Sequence, residues 1–125
     1  MNTQTILITG SSRGIGLAIA QRLAKQGYSV VLHGRNAAAL EQAASEIGGN
    51  TRYLTFDIAN RAQTAAVLLA DIEAHGCYYG VVCNAGVAAD NAFPAMLDSE
   101  WDDVIHTNLD GFYNVLKPLI MPMIH

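Results

Sequence analysis

Eight residues near the amino terminus, Thr9-Gly10-Ser11-Ser12-Arg13-Gly14-Ile15-Gly16, constrain this chain more than any other stretch. They are entered from a short, apolar, β-branched run, Thr5-Ile6-Leu7-Ile8-Thr9, and left through Ile15, Ala18, Ile19 and Leu23 at helical spacing until Gly27. A strand thus passes through a glycine-rich turn directly into a helix. Such a junction needs one residue without a Cβ for the tight turn, another where a ligand comes close, and a third where helix packs on strand; Gly10, Gly14 and Gly16 fit those roles. Backbone amides at the helix start then face an anion, where the helix dipole favours negative charge.

The same rhythm continues. Ser29-Val30-Val31-Leu32-His33 reads as a second buried strand, followed by a helix capped by Asn36, carrying Leu40, Ala43, Ala44 and Ile47, and closed by Gly48-Gly49. Thr51 to Phe56 reads as a third strand, with Asn60 capping a helix through Val67, Leu68 and Ile72 that ends near His75-Gly76. Gly80-Val81-Val82-Cys83 reads as the fourth. After a loop holding Pro94, Ser99 and Asp102 form a capping-box-like pair, and Trp101, Val104 and Ile105 open a helical region reaching to about Met121. Continuous apolar strands each followed by a helix predict an α/β fold with a doubly wound parallel sheet covered on both faces. In such sheets ligands bind beyond the carboxyl ends of the strands.

Composition narrows the partners. At 125 residues and 51% hydrophobic content the chain reads as one domain or a large part of one. Seven basic against 11 acidic residues give a net charge of -4 with no basic run, which argues against nucleic acid. No apolar run approaches the roughly 18 residues of a membrane span, and the tail Leu116 to Ile124 is interrupted by Lys117, Pro118 and Pro122. Without secretory-signal features at the start, a cytoplasmic location is expected. Cys77 and Cys83 read as small core hydrophobes. His33, His75, His106 and His125 show no metal-ligand spacing and read as structural or solvated, so no metal site is expected.

Together these residues resemble the short-chain dehydrogenase/reductase family, whose glycine pattern Thr-Gly-x-x-x-Gly-x-Gly is matched in full by Thr9 to Gly16. The resemblance covers the whole chain. It implies a Rossmann-like, three-layer αβα domain over residues 1–125, an N-terminal portion interrupted after the fourth strand and its following helical region. Thr9, Gly10, Ser12, Arg13, Gly14, Ile15 and Gly16 would bind the dinucleotide, Asp57 with Ile58 after strand three would meet the adenine, and Asn84-Ala85-Gly86 is the family's Asn-Ala-Gly after strand four. Asn108 stands where the family keeps a catalytic-site asparagine that holds a proton-relaying water. Asp90-Asn91, Trp101 and Thr107-Asn108-Leu109 are similar to the 3-oxoacyl-[acyl-carrier-protein] reductase subgroup.

The end of strand two bears on the cofactor. An acid there would bond the ribose hydroxyls and repel a 2′-phosphate, whereas His33-Gly34-Arg35-Asn36 offers a guanidinium and Arg13 lies in the glycine loop. Arginine's planar fork suits a phosphate, so NADP(H) is expected over NAD(H), with Arg35 and Asn36 at its adenosine end.

Hydride transfer to a carbonyl also needs an acid for the developing alkoxide. In the family this is a tyrosine four residues before a lysine, helped by a serine, all beyond strand five. Tyr113-Asn114-Val115-Leu116-Lys117 has that spacing but comes before strand five, and it reads as structural. Tyr78, Tyr79 and Tyr113 read as packing aromatics. The resemblance implies reduction of a small-molecule ketone or acyl-thioester substrate, a homo-oligomer, specifically a tetramer when full length, and acyl carrier protein as a partner. The subgroup's Thr-Arg pair before Asp-Asn is Ala88-Ala89 here, so a basic contact for an acidic carrier is missing. The alternative class is a truncated, non-catalytic nucleotide-binding or interaction module. A sheet stopped after its fourth strand would leave an unpaired edge, so the isolated chain is expected to be marginally stable.

Overall fold

The computed structural model describes residues 4–84, 97–99, 102 and 110–124. Their elements run β1 (Thr5–Ile8), α1 (Gly14–Lys25), β2 (Ser29–Gly34), α2 (Ala37–Ile47), β3 (Arg52–Thr55), α3 (Arg61–His75), β4 (Gly80–Val82) and α4 (Gly111–Ile124). The alternation follows the apolar pattern, with ends shifted slightly: the third strand begins at Arg52, not Thr51, and stops short of Phe56, and the fourth stops at Val82, not Cys83. Asp98, Ser99 and Asp102 are helical, so the helical region opens before Ser99 and that residue does not stand outside it as a cap.

The four strands form one parallel sheet in the order β3-β2-β1-β4, with Leu7 opposite both Val31 and Val81 and His33 opposite Leu54. Successive strand residues point to opposite faces, and the core divides accordingly. Ile6, Ile8, Val30 and Leu32 pack with Ala20, Leu40 and Ala43 from α1 and α2. Leu7 and Val31 pack on the other face with Leu68, Val115 and Leu119 from α3 and α4. The result is a three-layer αβα arrangement, the expected Rossmann-like fold. Because the chain steps from β1 outward to β3 and then returns to β4, the order reverses between β1 and β4, the switch point at whose carboxyl ends sheets of this kind form their ligand crevice.

Asn36 and Asn60 cap α2 and α3 as read, their side chains accepting from the Ala39 and Gln63 amides at 3.1 and 3.0 Å. Helix α4 continues through Pro118 and Pro122. It docks on α3 through Asn114, whose Oδ1 accepts from Arg61 Nε at 3.0 Å while its Nδ2 donates to the Ile58 carbonyl at 2.8 Å. Among the described residues no helix is long and apolar enough to cross a membrane. Cys77 and Cys83 depart from expectation, since both thiols are free and exposed. Each lies where the backbone has left a regular element, after α3 and after β4.

At the end of the sheet away from the crevice, Arg52 at the start of β3 forks onto Asp71 of α3 at 3.0 and 2.8 Å, and the Tyr78 hydroxyl donates to the same carboxylate. Asp71 and Tyr78 are buried, so the pair clamps α3 between the beginnings of β3 and β4. Tyr78 is therefore a packing and anchoring group, as read. Tyr79 is exposed and stacks on Tyr28, and Tyr113 lies beneath the Arg61 guanidinium, 5.2 Å from its ring centre.

Candidate dinucleotide site

The glycine turn is held from both neighbouring strands. On the β4 side, the Thr9 amide donates to the Val82 carbonyl at 3.0 Å, the Asn84 amide donates to Thr9 Oγ1 at 3.0 Å, and Asn84 Nδ2 donates to the Gly10 carbonyl at 3.0 Å. Thr9 and Asn84, both expected to contact the cofactor, thus have side chains that shape the turn; Thr9 is buried. On the β2 side, Ser11 N–H donates to the His33 carbonyl at 2.8 Å, His33 N–H donates to Ser11 Oγ at 2.9 Å, and Ser11 Oγ donates to the Ile8 carbonyl at 2.7 Å. Ser11 in effect extends the pairing of β1 with β2 beyond the strand's end.

The His33 side chain completes the arrangement. Gly10 N–H points at His33 Nδ1 at 3.0 Å, and Nε2 lies 2.8 Å from the Phe56 carbonyl. An amide can only donate, so Nδ1 must be the unprotonated nitrogen and Nε2–H the donor to Phe56. Burial pushes the imidazole below its ordinary pKa; the Phe56 carbonyl and Asp57 act in the opposite sense, and Arg35 adds to the lowering. The ring is held neutral. The expectation that His33 is structural stands, but its place in the site was not read. One signal was available: a polar ring in an otherwise apolar buried strand needs partners for both nitrogens.

The glycines divide the work by conformation and space. Gly10 and Gly14 adopt φ of 62° and 63°, the left-handed region that side chains disfavour. A Cβ on Gly14 would meet nothing within 4 Å, so the backbone there is open to an approaching ligand. Gly16 is different. A Cβ on it would collide with the Gly10 carbonyl oxygen and stand 2.7 Å from Asn84 Nδ2, so its bareness lets α1 rest on the turn.

Helix α1 has no side-chain cap at Arg13, which can only donate, whereas α2 and α3 are capped. The first intrahelical bond here is Leu17 N to Arg13 O at 3.3 Å, leaving the Gly14, Ile15 and Gly16 amides without a partner one turn back. Ile15 is 75% exposed at this mouth. Ser12 is half-buried beside Gly34, and Arg13 and Arg35 are exposed without an ion pair among the described residues.

Arg35 lines a cavity of about 320 Å³ with Thr55, Phe56, Asp57 and Gln63, at the carboxyl ends of β2 and β3. Asp57 Oδ1 accepts from the Ala59 amide at 2.9 Å, a local turn at the cavity wall. Ile58 is turned inward: its side chain is buried, facing Gly111, and its carbonyl is taken by Asn114. The Asn36 side chain is occupied in capping α2. Ala85, Gly86 and Asn108 lie outside the described residues.

Chemically, this arrangement suits binding. It places helix-start amides, two guanidinium groups and a cavity along the carboxyl end of one parallel sheet. Both nitrogens of its one buried imidazole are already bonded. The Tyr113 and Lys117 pair belongs to α4 in the helical layer, with Tyr113 against α3. No cluster of side chains that could hold a metal ion occurs among the described residues.

The sequence matches the short chain dehydrogenase family over residues 4–125. It is 60% identical over 126 residues to a 3-oxoacyl-[acyl-carrier-protein] reductase, FabG, of Aggregatibacter actinomycetemcomitans, covering 98% of this chain and 52% of that protein. Among solved structures, a gluconate 5-dehydrogenase of Burkholderia cenocepacia in complex with NADP and tartrate aligns with TM-score 0.91 and 31% identity, over 99% of this chain and 50% of that one. An actinorhodin polyketide ketoreductase with NADPH aligns with TM-score 0.87 and 31% identity, over 97% of this chain and 48% of its own. The chain spans about half the length of the relatives it matches.

Proposed function

Since this chain belongs to the short-chain dehydrogenase family, we propose that residues 1–125 form the NADP(H)-binding portion of a reductase acting on a 3-oxoacyl thioester. The observation that carries the proposal is the uncapped start of α1, set beside the Gly10 turn at the point where strand order reverses. The Ser12 to Gly16 backbone binds the diphosphate; Arg13 and Arg35 take the extra phosphate of the adenosine; the cavity walled by Asp57 receives the adenine. Asn84 holds the floor of the crevice through the Gly10 carbonyl. Ala85, Gly86 and Asn108 take the family's nicotinamide-side and water-holding roles within the same proposal. When bound, NADPH supplies the hydride for the carbonyl carbon.

The substrate assignment is supported by the 60% identity to a protein carrying the 3-oxoacyl reductase name. A protein carrier of the thioester docks without a basic contact at Ala88-Ala89. Oxidation of NADPH in the presence of acetoacetyl thioesters, on coenzyme A and on acyl carrier protein, tests both points. Reduction of neither thioester by the full-length protein would overturn the substrate reading, and saturable cofactor binding without turnover would favour a binding module.

Cofactor choice gives a sharper prediction. Replacing Arg13 and Arg35 together by Ala should weaken NADPH binding by roughly tenfold to a hundredfold, the effect of losing charge-assisted contacts to a phosphate, while changing NADH affinity by no more than about twofold. Isothermal titration with both cofactors checks this. Equal losses for the two would refute the phosphate assignment.

A further inference from the structure

We propose that His33 is a pH-sensitive positioning residue, which orders the Gly10 turn only in its neutral, Nε2-protonated form, so that acidification loosens the turn and lowers dinucleotide affinity. The ordering of the turn stands on geometry alone; the effect on affinity rests on the dinucleotide reading above.

The His33 ring, on the central member of three parallel strands, bridges the segments that follow the other two. It belongs to β2, accepts from the Gly10 amide after β1, donates to the Phe56 carbonyl after β3, and lies 4.0 Å from the Phe56 ring, between centroids. It is 3% exposed, so the ring itself is largely shut off from water. Neutral imidazole satisfies both contacts at once. An imidazolium has no acceptor, and its Nδ1–H would be set against the Gly10 N–H across 3.0 Å while the Phe56 contact persisted. Strain from protonation therefore falls on one bond, that of the residue whose left-handed φ begins the turn. It travels a short way. The Gly10 carbonyl is the acceptor for Asn84 Nδ2 and is the atom against which Gly16 packs, so a displaced Gly10 disturbs the seating of α1, whose opening amides face the ligand.

The charged groups acting on the ring are Asp57 after β3, which favours the cation, and Arg35 after β2, which opposes it; Gly10 and Ser11 from the β1 turn bring no titratable side chain. Burial outweighs the attraction of Asp57, so the native state prefers the neutral ring. The sign follows from linkage. A histidine whose folded pKa lies below its ordinary 6.5 contributes stability that is complete above that value and is lost as pH falls toward the folded pKa. The sensitive range thus lies below pH 6.5. A bound dinucleotide, which needs the ordered turn, would depress proton uptake further, and by reciprocity protonation would weaken the dinucleotide.

The test uses NADP+, which tolerates acid, with the full chain and its His33→Asn variant between pH 8 and 5. Asparagine can offer an acceptor toward Gly10 but takes up no proton in this range. The wild-type dissociation constant should rise more steeply than that of His33→Asn as pH falls below 6.5; comparing the two removes the titration of the cofactor's own phosphate, near pH 6. In parallel, ring ¹⁵N shifts of wild-type His33 should report the Nε2–H tautomer at pH 8, and the Gly10 amide resonance should move with the ring's titration. Identical pH profiles for both proteins would overturn the effect on affinity. A Gly10 resonance indifferent to the ring's titration, or an Nδ1–H tautomer, would overturn the positioning role even if His33→Asn failed to fold. Gly10 moving with His33 in a protein that binds no NADP+ at any pH would uphold the turn lock and refute the dinucleotide reading instead.

Discussion

Substituting Gly16 by Ala should lower NADP(H) affinity by at least about a hundredfold, a larger loss than any single side-chain deletion in the site, because the added methyl strikes the backbone that forms it. The Cβ would collide with the Gly10 carbonyl oxygen, stand 2.9 Å from its carbon, and press on Asn84 Nδ2 at 2.7 Å. The first two are backbone atoms, and only the Asn84 amide ends a side chain. The carbonyl belongs to a turn pinned by His33 and Asn84, and the asparagine is bonded to that same carbonyl. Relief must come from lifting α1 off β1, which moves the helix-start amides away from the diphosphate. Overpacking of this kind costs about 1–3 kcal/mol in stability, so thermal unfolding should be measured beside the titration. Gly14→Ala separates the causes: φ of 63° strains it, yet nothing lies within 4 Å, so the turn keeps its place. If Gly16→Ala bound NADP(H) as well as the native chain, the close packing of helix on turn would not be needed for the site.

Asp71→Ala should destabilise the fold by about 3 kcal/mol, near the lower end for breaking a buried pair because the Arg52 side chain, 26% exposed, can turn to water. Tyr78 cannot, and its hydroxyl would be left buried beside an empty position. The pair also sets an acid limit. Burial works to raise the Asp71 pKa, but the Arg52 and Tyr78 hydrogen bonds with the Arg52 charge overcome it, leaving the carboxyl below its usual value of 3.8. A depressed folded pKa gives stability that is present above the unfolded value and is lost as pH falls through the folded one. Denaturant unfolding of the native chain should therefore weaken below about pH 4 through this group, and Asp71→Ala should lack that component. Tyr78→Phe should cost less, since the carboxylate keeps its fork to arginine. Unchanged stability in Asp71→Ala would mean that the clamp between β3, α3 and β4 contributes nothing net. The site lies at the other end of the sheet, so cofactor affinity in the folded fraction should change little.

The division between what the sequence disclosed and what it concealed follows sequence separation. Apolar runs, helix caps and glycines act within a few residues of one another, so the strand-helix alternation and the caps at Asn36 and Asn60 were readable, as were the conformational and packing needs at Gly10, Gly14 and Gly16. The pinning of the turn depends on contacts across strands. Gly10 and His33 are 23 positions apart, and Thr9 and Asn84 are 75 apart; periodicity reports which face a residue occupies but not which atom lies opposite. Ser11 was passed over because it fills a variable place in the glycine pattern, yet its hydroxyl and amide join β1 to β2. The two cysteines misled for another reason. Their residue type favours cores, but both stand on irregular backbone just outside regular elements, where no period tells which side chain turns inward: Cys77 is exposed and its neighbour Tyr78 buried. Ile58, read beside Asp57 as a cofactor contact, has its side chain buried against Gly111, on turn backbone where no period reports a side chain's direction.

The central claim is that amides at the opening of α1 hold a dinucleotide's phosphates. It is tested most directly by ¹H–¹⁵N mapping of the folded chain during titration with NADP+. The account predicts saturable shifts largest in the Ser12, Arg13, Gly14, Ile15 and Gly16 amides, smaller ones at Arg35 and Asp57, and little change at Arg52, Asp71 and Tyr78. Saturable binding that left residues 12–16 unmoved would contradict it.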